Sequence, residues 1–69
     1  MVEVFKTNVE EKVQASFIIT LLKGHFPEAR INFDLTDCDR ILRLEGDDLI
    51  TYKVVHLVNE QGFYCTVLE

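Results

Sequence analysis

The hydrophobic pattern changes period repeatedly along this chain, and each change marks a boundary. "VEVFKTNV" is rich in Val, Phe and Thr and alternates, with Phe5, Thr7 and Val9 on one face and Val2 and Val4 on the other. That is a strand pattern. "EEKVQASFIITLLKGHF" then shifts to a helical period. At about 100° per residue, Phe17, Leu21, Ile18, Leu22, Ala15 and Ile19 gather on one side and Lys12, Ser16, Thr20 and Lys23 on the other. Gly24 and Pro27 are expected to stop this helix. "ARINFDL" returns to alternation, with Ile31, Phe33 and Leu35 opposed to Arg30, Asn32 and Asp34. "TDCD" is a turn by composition. "RILRLEG" places Leu42 and Leu44 inward and Arg43 and Glu45 outward. "DDLITYKVVHLVNEQ" predicts a second helix, capped by Asp47 or Asp48 and ended at Gly62. Its stripe is Ile50, Val54, Leu57 and Val58, with Val55 at the edge. "FYCTVLE" closes the chain as a strand with Phe63, Cys65 and Val67 on one face.

The element order is therefore βαββαβ. Two helices on one face of a four-stranded antiparallel sheet give an α+β, ferredoxin-like two-layer sandwich. Right-handed crossovers place the first and third strands centrally and the second and fourth at the edges. The outer sheet face then carries Lys6, Arg30, Asn32, Asp34, Arg43, Glu45, Tyr64 and Thr66, a mixture suited to water.

Length and charge narrow what such a sandwich can do. The 69 residues make one domain, spanning 1–69, and a chain so short buries only about 60% of its unfolded surface. No apolar run approaches the roughly 20 residues of a membrane span, and the start "MVEVFKTNVEEK" lacks a secretory signal's basic and apolar regions. Net charge is −5, from twelve acidic and seven basic residues. Such a surface repels phosphate backbones and anionic membranes, so neither nucleic acid nor a membrane is an expected partner. Two cysteines are too few for a disulfide framework. A soluble cytoplasmic protein is expected, monomeric or weakly dimeric.

Several stretches together resemble a known family. "INFDL" precedes a tight turn, "LRLEG" follows it, and "LVNEQGFYCTVL" runs from a helix through Gly62 and Phe63 into a short valine-bearing strand. In length, element order and these junctions the whole chain is similar to the heavy-metal-associated domain of copper chaperones and metal-transporting ATPases. The resemblance implies a CxxC motif between the first strand and first helix, where two thiolates hold Cu(I) or, with added ligands, Zn(II). Those positions fall at Glu10 and Val13, or at Glu11 and Gln14, and hold no cysteine. The second register is preferred because it keeps Ile18, Leu21 and Leu22 on the buried stripe. The family's metal transfer does not carry over to these positions.

The residues that stand there have a structural reading. Asn8 followed by Glu11 fits an Asn variant of the capping box. Glu10 and Glu11 in the first turn would complement the positive helix end, about 0.3–1 kcal/mol each. Of the other candidates, Cys65 is expected inward as a small hydrophobe. Cys38 is expected in the exposed turn, its flanking acids arguing against a reactive nucleophile. His25 suits a helix C-terminus, and His56 a solvated strip with Tyr52, Asn59 and Glu60. "DLTDCDRILRLE" fails as a calcium loop, because Asp39 stands where Gly is needed.

The first helix is broader in its apolar arc than a surface helix requires: about 200°, counting Ala15, against roughly 100°. Phe17 or Ile19 therefore lies at the edge of the core, and this flank marks a possible interaction surface. Packing beneath the 24–29 loop and Phe26 is the alternative. The expected function is a small non-enzymatic binding or regulatory module, with no catalytic residues and no cofactor, acting on a protein partner. The alternative is a copper- or zinc-binding or transport protein with a relocated site drawn from Cys38, Cys65, His25 or His56.

Overall fold

The computed structural model describes residues 1–68 and places β1 (Val2–Thr7) at the centre of a four-stranded antiparallel sheet. β1 pairs on one side with β3 (Ile41–Glu45) and on the other with β4 (Cys65–Val67). β2 (Arg30–Asp34) pairs with β3 and forms the far edge, giving the order β2-β3-β1-β4. Helices α1 (Lys12–His25) and α2 (Thr51–Glu60) complete the order β1-α1-β2-β3-α2-β4. This is the expected ferredoxin-like sandwich, with the first and third strands central.

Alternation along the strands decides the core. Phe5, Leu42 and Leu44 point inward and are fully buried, as are Ile18 and Leu22 of α1 and Val54 and Val58 of α2. Val9, just past β1, is buried with them. Cutting any one of the large aliphatics to Ala would cost about 2–5 kcal/mol, a large share of what a domain this size has in hand. Ile31, Phe33 and Leu35 are only half-buried, because β2 has a neighbour on one side alone. The single buried polar side chain among the described residues is Thr7. Its Oγ1 donates to the Arg40 carbonyl at 2.6 Å and accepts the Val9 N–H at 3.2 Å, tying β1 to the β2–β3 hairpin.

Element ends depart from expectation in four places. The N-cap of α1 is Glu11, whose N–H donates to Gln14 Oε1 at 3.2 Å in a capping box three residues later than Asn8/Glu11. Glu10 and Glu11 thus precede the first turn. Gly24 lies within α1; the stop comes from Pro27, which bars the preceding Phe26 from helical backbone (φ −130°, ψ 70°). α2 begins at Thr51 rather than after Asp47 or Asp48, with Ile50 as its N-cap. The aspartates are drawn into a bend that inserts Leu49 into the core, so Leu49 replaces the 42%-exposed Ile50 on the apolar stripe. Gly46 packs there against Ala29, which a Cβ would meet at 3.4 Å. The last strand is three residues long, and Glu69 lies outside the described residues.

Candidate functional site

The β1–α1 connection, where the resembling family keeps its thiols, is occupied here by groups that hold the backbone. Asn8 Oδ1 accepts the Tyr64 N–H at 2.8 Å and so clamps the α2–β4 loop to the end of β1. Asn8 is committed to that long-range contact and is not the helix cap. Glu11 and Gln14 form the cap, and Glu10 is exposed. Val13, the other position matched to a family thiol, is 72% exposed.

Val13 acquires meaning from its neighbour. Phe17 is 56% exposed and stands one turn further along α1, and residues four apart on a helix have Cβ atoms about 5–6 Å apart. The half-buried Leu21 continues the line. Val13, Phe17 and Leu21 therefore make an apolar ridge, running from solvent at one end into the core at the other. Ile19 is half-buried and stands about 200° around the helix from Phe17. The two named flank residues thus lie on different sides of α1. Ile19 lines a groove with Ala15, Phe33 and Leu35, about 490 Å³, between α1 and the open edge of β2. At 56% exposure Phe17 is left largely uncovered by the 24–29 loop, which Lys23 Nζ closes onto the Ala29 carbonyl at 2.7 Å. Sequence reasoning missed Val13, although its four-residue spacing to Phe17 was the available signal.

The cysteines separate as expected. Cys65 is buried, and burial pushes its thiol from the ordinary 9.0 up to about 12. Cys38 is exposed at the tip of the β2–β3 hairpin between Asp37 and Asp39. One ligand atom from each of these three residues lies within 4.8 Å of the others. The hairpin has its own internal order. Asp37 Oδ1 accepts the Asp39 N–H at 2.8 Å, and Lys6 Nζ stands 3.6 Å from Asp39 Oδ1. Arg40 holds positive φ (45°), with Nη1 donating to the Leu35 carbonyl at 2.8 Å. At its base, Thr36 donates to Asp34 Oδ1 from Oγ1 (2.7 Å) and from N–H (3.2 Å); chiefly the first of these holds the Asp34 carboxyl below its usual range.

The histidines are not brought together with these groups. His56 pairs with Glu60 on the exposed face of α2, Nε2 to Oε1 3.4 Å, and His25 is exposed at the end of α1. A second cavity of about 370 Å³ lies near His25, between the 26–29 and 46–50 segments. Lys53 crosses it with Nζ 5.6 Å from the Phe26 ring centroid. Among the described residues, no helix is long and apolar enough to cross a membrane.

The fold and these surfaces define a ferredoxin-like α+β two-layer domain with an exposed apolar ridge and an acidic hairpin tip. No family model, curated protein or solved structure matches the chain.

Proposed function

We propose that this chain is a small non-enzymatic binding or regulatory module, of heavy-metal-associated-like fold, that works in the cytoplasm through contacts with another protein. The observation that carries the reading is the Val13–Phe17 ridge. A helix that already buries Ala15, Ile18 and Leu22 gains nothing for its own packing by exposing a Val and a Phe side by side. Fully covering such side chains is worth about 1.5–3 kcal/mol each, enough to anchor a weak, regulated contact. The β1–α1 segment supports the same reading, because Asn8, Glu11 and Gln14 are spent on holding the backbone. Two free cysteines fit a reducing compartment.

The close approach of Asp37, Cys38 and Asp39 favours a second reading, a relocated metal site. One thiol and two carboxylates suit a divalent ion better than Cu(I), which prefers sulfur. Cys65 sits inside the core and does not complete such a set.

The ridge is tested with a photo-crosslinking benzophenone side chain introduced at Phe17, and separately at Arg43 on the outer sheet face, in cells of the source organism. The expected result is a discrete protein adduct from position 17 that Val13→Glu eliminates and position 43 does not give. The same adducts from both positions, or none from position 17, would overturn the reading.

A further inference from the structure

The open edge of β2 is complementary to itself, and we propose that it pairs antiparallel with β2 of a second copy, centred on Asn32, to form a two-fold dimer with a continuous eight-stranded sheet. The argument begins with which backbone groups are free. Gly46 N–H donates to the Met1 carbonyl at 3.0 Å. Hydrogen-bonded pairs alternate along an antiparallel ladder, so in the β1–β3 register Leu44 and Leu42 direct their backbone groups to β1. Arg43 and its alternate neighbours then face β2, where they meet Arg30, Asn32 and Asp34. The N–H and C=O groups of Ile31 and Phe33 are left pointing away from the sheet.

A second β2 can use those groups only in registers that set odd-numbered residues against odd-numbered ones. Three short registers qualify, centred on Ile31, Asn32 or Phe33. Only the middle one sets Arg30 opposite the partner's Asp34, and Asp34 opposite the partner's Arg30, with Asn32 against its own copy. These fall at non-hydrogen-bonded positions, where side chains stand closest. On the inner face, each Ile31 meets the partner's Phe33, and both are half-buried in the single chain. The groove holding Ile19 lies over this edge and would be narrowed by the partner's α1.

Edge strands that resist pairing carry bulges, proline or charged side chains. β2 has neither proline nor bulge, and its charges match. The other edge, β4, is three residues long, so an isologous β2 contact closes at two copies. Net charge of −5 on each chain opposes association, but that repulsion is screened beyond about 8 Å at physiological salt. This inference does not rest on the Val13–Phe17 ridge, which lies on the other flank of α1.

Sedimentation velocity from about 10 μM to about 1 mM should show a reversible monomer–dimer equilibrium, with the Ile31 and Phe33 amide resonances moving with concentration. Each single reversal, Arg30→Asp or Asp34→Arg, turns both cross-strand pairs repulsive and should weaken the dimer at least about tenfold. Mixing the two variants restores opposite charges across the contact, and should give a heterodimer at least as tight as the wild type. Circular dichroism establishes that each variant folds. Wild-type protein that stays monomeric at the highest concentration would overturn the proposal and leave the edge to a strand of another protein. A dimer indifferent to both reversals, or variants that fail to rescue each other when mixed, would overturn it equally.

Discussion

Cys38 stands exposed at the hairpin tip, whereas Cys65 is packed in the core with its thiol pushed to about 12 by burial. The consequence is a pH dependence with a definite sign. In the unfolded chain Cys65 ionises near 9.0, while in the folded chain it keeps its proton to about 12. Above pH 9 the unfolded state therefore binds fewer protons, and stability falls as pH rises. By pH 10 the Cys65 contribution should have cost about 1.4 kcal/mol, a size set almost wholly by the unfolded value. Urea melts at pH 8 and pH 10 should show this difference between wild type and Cys65→Ala, whatever the variant's baseline. Equal slopes in the two proteins would contradict the buried thiol. The inward place of Cys65 followed from alternation alone. The role of Asn8 did not, since its partner Tyr64 is 56 residues away and no local pattern announces such a bond.

At the scale of elements, the inward and outward faces of the first three strands were legible from alternation, whereas the fourth strand is cut to Cys65–Val67. The helix starts were not legible. Asp47 and Asp48 have the chemistry of an N-cap, but the need to seat Leu49 against the core delays α2 to Thr51. Tertiary packing outweighed a capping contribution of about 1 kcal/mol. On α1 the periodicity found the wide apolar arc but could not say which edge stays wet. Backbone packing puts Phe17 outside and Ile18 inside. Phe17→Ala should change unfolding free energy by no more than about 0.5 kcal/mol, as for an exposed site. Ile18→Ala should cost about 2–5 kcal/mol. Chemical denaturation of both variants checks the pair. A large loss at Phe17 would mean that the ridge is part of the core rather than a surface held for a partner.

The whole molecule is a two-layer sandwich whose β1–α1 loop is built from Asn8, Glu11 and Gln14. A contact module and a metal carrier make opposite demands on the remaining thiol. For a contact module, Cys38 is a solvated turn residue, held in place by the backbone order around Asp37 and Arg40. For a carrier it is the one accessible thiol. Pairing through β2 would not pool two such thiols, because antiparallel strands send the two hairpin tips to opposite ends of the joint sheet. The most direct measurement is native mass spectrometry of the reduced protein titrated with Cu(I) and Zn(II), beside Cys38→Ser. The account predicts no bound metal beyond that of the serine variant. Tight one-to-one loading that Cys38→Ser abolishes would contradict it, and would make the hairpin tip the working site.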